Sequence, residues 1–302
     1  MRTWLLTTLV ALQYAALATG CAGSQADSCD RNQDCPSGFC RADHTCAPAD
    51  GDGGVEPDGD GTPDAEGPVG CTPDHDGILT RAELPLQPGR VATYRVALDA
   101  TVSTAGTQQS SGQRAWDLGT ALTGDADVTQ TLLDPADQWW AASFPDASYA
   151  TTLSAESDLL GVFELTDTRL RLLGVVSPTG GSLRTELAYD PPVDVLVLPM
   201  GPSASWTVDT TITGLAQGVA SYYTESYESR VDAVGTLDTP YGPFPVSRVA
   251  VDLTRQVGAL ITTKRTFAFV AECYAQVGTI VSQDYESGSE FTDAAEVRRL
   301  AP

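Results

Sequence analysis

The stretch Leu260-Ile-Thr-Thr-Lys-Arg-Thr-Phe-Ala-Phe-Val-Ala-Glu-Cys273 decides the predicted fold. Polar and apolar residues tend to alternate along it, which is the pattern of a β-strand with one buried and one solvated face. Residues 91–102, 205–213 and 245–254 show the same alternation. No window of about 12 residues shows the periodicity of an amphipathic helix. The sequence therefore predicts strands throughout this part of the chain.

Glycine and proline punctuate these strands at short intervals, for example at Gly180-Gly181, Pro191-Pro192 and Gly258. Short connections favour antiparallel neighbours, so we predict an all-β domain over residues 71–302, built as a meander of about a dozen strands. A sheet with one apolar face must cover that face. It can curl into a curved sheet, half-barrel or barrel, or it can fold over as a sandwich.

The N-terminal residues 1–20 have the features of an export signal: Met1-Arg2, an apolar run and a small-residue end. The ending Ala18-Thr19-Gly20-Cys21 resembles the lipobox of bacterial lipoproteins. The resemblance implies that Cys21 becomes the first mature residue and carries acyl groups such as palmitate. With Ala22 next, it also implies the outer membrane, on its periplasmic or surface face. The alternative is an ordinary signal peptide with an incidental cysteine.

Lipidation of Cys21 would leave an even number of cysteines, which in an oxidising compartment predicts three disulfides. Residues 21–48 are too few to bury a core, so we expect a disulfide-rich module whose pairing stays open. A zinc site with His44 is the alternative there. The third predicted disulfide joins Cys71 and Cys273. The module's four cysteines are Cys29, Cys35, Cys40 and Cys46.

This module resembles the short DC-x-SG-x-C repeats of exported proteins from soil-dwelling delta-proteobacteria of the myxobacterial type, a resemblance that implies no activity. Residues 49–70 follow it and consist largely of Asp, Glu, Gly and Pro. Such a composition cannot bury enough apolar surface to order itself, so we predict a disordered acidic linker.

Residues 72–83 fall on the twelve-position template of an EF-hand calcium loop. Gly77 stands where the sharp turn needs it, but Thr72 replaces the usual first Asp and Leu84-Pro85 blocks an exit helix. The alternative is an Asp-Gly turn that leads into the first strand. The sequence predicts no cofactor other than this Ca²⁺. Its predicted ligands are Thr72, Asp74, Asp76, the carbonyl of Ile78, and Glu83.

The overall composition argues against several functions. A net charge of -23 argues against a nucleic-acid partner. The two histidines, His44 and His75, precede Leu84, where we expect the main domain to start, so that domain lacks a histidine for a catalytic triad or a zinc site. We predict that the protein is not an enzyme. A hydrolase that uses carboxylates is an alternative, although no pair of acidic residues stands out.

Three stretches, residues 198–206, 239–246 and 274–281, place Pro-Gly turns ahead of an aromatic residue or Val-Gly inside a strand. They resemble the curved sheets of LolA/LolB-like envelope proteins. The resemblance implies a concave apolar face that can hold an acyl chain or another apolar ligand. We therefore expect a lipid-anchored envelope protein whose β-domain serves binding or structure. Its expected partners are the membrane and an apolar ligand or an envelope protein, and a lipid carrier is one alternative.

Overall fold

The computed structural model describes residues 71–302. The predicted signal peptide (1–20), disulfide-rich module (21–48) and acidic linker (49–70) lie outside the described residues, and so do Cys21, Cys29, Cys35, Cys40 and Cys46. Within residues 71–302, no helix is long and apolar enough to cross a membrane.

The described chain is built from strands, with short 3-10 turns at Arg81–Glu83 and Ala141–Ser143. The strands are β1 (Val91–Thr101), β2 (Thr107–Gln108), β3 (Arg114–Asp117), β4 (Ala126–Thr131), β5 (Tyr149–Ser154), β6 (Ser157–Leu165), β7 (Arg169–Val176), β8 (Glu186–Val197), β9 (Ser205–Ala216), β10 (Val219–Asp238), β11 (Pro243–Val257), β12 (Leu260–Ala271), β13 (Ala275–Ser282) and β14 (Asp293–Ala301).

Twelve strands follow one antiparallel path, in the order β4-β1-β14-β13-β12-β11-β10-β9-β8-β7-β6-β5. From β5 to β14 each strand pairs with its neighbour in the sequence, as the short turns predict. The two ends of the path meet where Leu133, just after β4, pairs with Ala150 on β5. The backbone N–H of each donates to the carbonyl of the other, at 2.7 and 3.0 Å. The sheet is therefore a nearly closed barrel, which confirms the all-β prediction and selects the barrel over the sandwich.

The two remaining strands cover part of the barrel's outer face. Strand β3 pairs in parallel with the end of β10 and places Trp116 edge-on against Phe269, with ring centroids 5.0 Å apart. Beside them the buried Arg248 stacks 4.1 Å from the centre of the Phe267 ring. Successive residues of a strand face opposite sides, so Arg248 lies outside the barrel while the next residue, Val249, faces the lumen. This sector is thus buried on both faces.

Candidate functional site

The lumen of the barrel contains a cavity of about 740 Å³. Most of its lining side chains are apolar and come from strands all around the barrel, for example Phe163 on β6, Leu172 on β7, Val251 on β11 and Val281 on β13. The alternation of inward and outward residues along each strand produces this lining. Small barrels are commonly filled by their own side chains, whereas this lumen retains a volume within the range of ligand pockets.

Alternate turns of an antiparallel meander lie at the same end of the barrel. At one end are the β8–β9, β10–β11 and β12–β13 turns, together with the start of β1 and the end of β14. Five lining residues there are exposed, namely Arg90, Val91, Tyr241, Gln276 and Pro302. The cavity therefore opens to solvent at this end. Towards the other end the lining includes Leu153, which is also exposed.

A polar cluster interrupts the apolar lining near Leu153. The guanidinium of Arg298 donates to Glu296 at 2.9 Å and to the side-chain carbonyl of Gln130 at 3.3 Å. Glu296 also accepts the Ser154 hydroxyl at 3.0 Å. Both charged residues are buried, so each needs the opposite charge of the other to offset the cost of its own desolvation. The cluster gives the lumen a buried charged region in a mainly apolar wall.

Two further hydroxyl groups belong to this region. Burial raises the pKa of Tyr94 to about 12, and the nearby positive charge of Arg298 opposes the shift. The Tyr94 hydroxyl donates to the carbonyl of Gln276 at 2.8 Å. Thr151, a lining residue on β5, has a buried hydroxyl without a hydrogen-bond partner among the described residues. An unpaired buried hydroxyl is destabilising, so this part of the wall has unused hydrogen-bonding capacity.

The N-terminal part of the described chain, residues 71–86, packs against the open end of the barrel, and we call it the strap. Its first residue, Cys71, is bonded to Cys273 in the β12–β13 turn, with Cα atoms 5.6 Å apart, which confirms the predicted disulfide. Leu79 exchanges two backbone hydrogen bonds of 2.9 Å with Met200 in the β8–β9 turn. Leu84 is buried in the hydrophobic cluster that contains the lumen residues Phe163 and Leu172. The strap is therefore fixed both covalently and by packing.

The predicted calcium loop lies in the strap, and the structure brings only part of it together. Oxygen atoms of Asp74 and Glu83 lie within 4.8 Å of each other and of Glu272. Three carboxylate oxygens at this spacing suit a hard cation such as Ca²⁺. Glu272 is not in the sequence prediction. It reaches the loop because the adjacent Cys273 is bonded to Cys71, a contact across the whole domain that local spacing does not reveal.

The other predicted ligands are placed differently. A carboxylate oxygen of Asp76 accepts the Ile78 N–H at 2.7 Å, which closes an Asp-Gly turn, and Thr72 is exposed. Glu83 accepts the N–H and the hydroxyl of Thr80 at 2.8 and 2.7 Å, so it also caps the 3-10 turn. Leu84 is extended rather than helical. Calcium binding stays a prediction of the sequence.

The prediction that the main domain begins at Leu84 and lacks a histidine is wrong. His75 precedes Leu84 but belongs to the folded domain, because its backbone N–H donates to Glu272 at 2.8 Å. The domain therefore contains a histidine, in the strap and exposed. Among the residues that line the cavity, Glu296 is the one carboxylate, and it is paired with Arg298. The lumen thus lacks the two facing carboxylates that glycoside hydrolysis requires.

No protein-family model and no curated protein sequence matches the chain. Among solved structures, a crystal structure from Bacteroides fragilis, described as an exported protein with a YmcC-like fold, aligns with 71% of this chain and 96% of its own. The two share 11% sequence identity, with a TM-score of 0.35.

Proposed function

We propose that this protein is a lipid-anchored envelope protein whose β-domain is non-catalytic and holds an apolar ligand in its lumen. The observation that carries the proposal is the cavity of about 740 Å³, which is lined mainly by apolar side chains and opens beside Val91 and Tyr241. Ligand pockets commonly combine such a wall with a few polar groups that fix orientation. The proposed Cys21 anchor comes from the sequence alone.

The distribution of polar groups narrows the class of ligand. Gln130, Thr151 and Arg298 lie in one region of the wall, whereas the rest is largely aliphatic or aromatic. A molecule that is apolar along most of its length and polar at one end fits both parts. Because Arg298 is already paired with Glu296, and the other charged lining residue, Arg90, is exposed at the open end, the polar region of the wall carries no uncompensated charge that would favour a strongly ionic ligand.

The lining also favours binding over hydrolysis. A carboxylate mechanism needs an acid and a second carboxylate that flank the scissile bond. Glu296 is held by Arg298 and Ser154 and has no carboxylate opposite it among the lining residues. We therefore propose that the ligand is held without chemical change.

Binding of the neutral apolar probe N-phenyl-1-naphthylamine, followed by its fluorescence, tests the proposal. The mature chain is expected to bind the probe. The Val251→Trp variant, which places a large side chain in the lumen, is expected to weaken binding by at least about tenfold because the cavity cannot expand freely around it. Native mass spectrometry of the purified protein is expected to show an additional mass that denaturation removes.

A matched control is Thr129→Trp, which adds the same ring at an exposed β4 position that does not line the cavity. This variant should bind the probe like the parent. Equal losses in the two variants, or a parent chain with only the apo mass and no probe binding, would show that the lumen is not a ligand site.

A further inference from the structure

Exposed hydrophobic side chains are concentrated at the end of the barrel opposite the strap. Eight of the twelve large hydrophobic residues that are exposed in the described chain lie on turns or strand ends there. One is Leu153 at the β5–β6 turn, and the other seven form a group on four adjacent turns. Leu183 and Tyr222 are 78% and 71% exposed. Scattered surface hydrophobics are ordinary, but a cluster on one end of a domain marks a contact surface. We call this group the hairpin rim, and its members are Leu183, Val219, Tyr222, Val257, Leu260, Ile261 and Tyr285.

Backbone pairing holds the rim together. The N–H of Gly218, next to Val219, donates to the carbonyl of Arg184, next to Leu183, at 2.9 Å. Strand β10 carries Tyr222 alongside the β11–β12 hairpin, where Val257 pairs with Leu260. The N–H of Tyr285 donates to Thr263 at 2.8 Å and joins the next turn to that hairpin. The rim therefore runs over four adjacent turns.

Most of the rim is also uncharged, in contrast to the rest of the chain, and the exception is the turn of Tyr285, which lies between Asp284 and Glu286. Residues 172–183, 210–224 and 256–263 contain no Asp, Glu, Lys or Arg, although the whole chain has a net charge of -23. Most of the charged residues that flank these segments form pairs of opposite sign, although Asp209 forms none within the described chain. Arg255 binds Glu225 at 2.6 Å, and Lys264 lies 3.1 Å from Asp284. The hairpin ends thus present apolar side chains with little net charge behind them.

We propose that the hairpin rim inserts into the surface of a lipid bilayer. Exposed Leu, Ile, Val and Tyr side chains gain free energy when they leave water at the boundary of headgroups and acyl chains. The hairpin ends that carry no charged side chain can insert without the cost of dehydrating a charge. Because the remainder of the domain is strongly acidic, contact by any other face would bring it against the negative surface potential of anionic lipids.

The length of the preceding chain permits this orientation together with the predicted anchor. Cys71 lies at the strap end, far from the rim, and the predicted linker of residues 49–70 precedes it. That linker alone can reach up to about 73 Å when extended, whereas the twenty-residue strand β10 spans about 65 Å. The predicted anchor would hold the domain near the membrane, and the rim would determine which end of the barrel faces it.

The test is flotation of the mature chain with vesicles of zwitterionic phosphatidylcholine. The Cys21→Ser form is used so that the acyl anchor does not dominate. Leu260→Asp is expected to lower the partition coefficient by roughly 5- to 20-fold, the effect of keeping one exposed leucine side chain in water. Val219→Asp, on the neighbouring hairpin, should act in the same direction. Both residues are exposed, so the thermal unfolding midpoint should stay close to that of the parent.

The control is Ile78→Asp. Ile78 is an exposed apolar residue (40%) and receives the same charge, but it lies in the strap and does not line the cavity. It should leave partitioning unchanged. Equal losses for Ile78→Asp and Leu260→Asp would overturn the proposal. So would binding that grows with the fraction of anionic lipid and disappears in about 1 M salt, since that dependence would identify an electrostatic contact. A parent dimer that Leu260→Asp converts to monomers would make the rim an interface between copies and also overturn it.

Discussion

Replacement of both Cys71 and Cys273 by serine tests how the strap contributes to stability. The disulfide joins residues 202 positions apart, so its loss releases nearly the whole domain in the unfolded state. The chain-entropy relation gives about 5 kcal/mol at 25 °C for a loop of this length, although measured values are commonly 2–4 kcal/mol. In the native state the strap keeps the Leu79–Met200 hydrogen bonds and the burial of Leu84. We therefore expect the free energy of unfolding to fall by roughly 3–5 kcal/mol.

Urea unfolding, followed by tryptophan fluorescence without reductant, measures this change. Substitution is preferable to reduction because a reductant would also act on the other cysteines, Cys29 to Cys46. The double variant avoids the free thiol that a single substitution leaves. The slope of the free energy against urea should rise, because an unfolded chain without the cross-link exposes more surface.

Two results would refute this account of the disulfide. A loss below about 1 kcal/mol would mean that the cross-link hardly restricts the unfolded chain. A much larger loss, with the slope unchanged, would place the effect in the native state and imply that the strap leaves the barrel when the bond is absent. Limited proteolysis within the strap would distinguish this second case, since a detached strap is cleaved before the barrel unfolds.

Three further outcomes are expected. If the loop binds Ca²⁺, millimolar calcium should raise the thermal unfolding midpoint of the parent but not of Glu272→Gln, and an unchanged midpoint with calcium or EDTA would contradict the prediction. The pKa of Tyr94 is raised by burial to about 12, so its contribution to the free energy of unfolding is complete below about pH 10 and falls by about 2 kcal/mol as pH rises to 12. Urea midpoints across that range should decline, and a flat profile would contradict this prediction. Arg298→Met leaves Glu296 buried and unpaired, so it should lower the free energy of unfolding by about 3–5 kcal/mol, and the added change Glu296→Leu should restore most of that loss. Urea unfolding measures both variants, and equal stabilities of the single and double variants would contradict the prediction.

The part of the fold that follows from neighbouring strands could be predicted from the sequence. The alternating stretches 91–102 and 260–273 correspond to β1 and β12, and the turn residues lie between consecutive strands of the meander. These signals are local, because strand periodicity and turn chemistry depend on adjacent residues. Cysteine counting also identified Cys71–Cys273, although that pair is far apart in the sequence.

Features that depend on long-range packing could not be predicted. The barrel closes through Leu133 and Ala150, at the end of an irregular segment without a strand pattern. Within that segment, the adjacent aromatic residues Trp139 and Trp140 favour a strand by propensity, but they precede a 3-10 turn. Trp140 is buried there, and Trp139 donates to the carbonyl of Ser177 at 3.1 Å. A tertiary contact of this kind overrides strand propensity and leaves no local signal.

The two proposed sites differ in position, and this makes them separable. The cavity opens near Val91, whereas towards the other end its wall carries the buried Glu296–Arg298 pair beside Leu153. An apolar ligand would have to disturb a desolvated ion pair to pass there, so the strap end is the easier route. We therefore expect Leu260→Asp to reduce vesicle partitioning without changing probe affinity in solution. Val251→Trp should weaken probe binding without changing vesicle partitioning. If Leu260→Asp impaired both, the ligand would pass through the hairpin rim, and the lumen and the membrane contact would form one site.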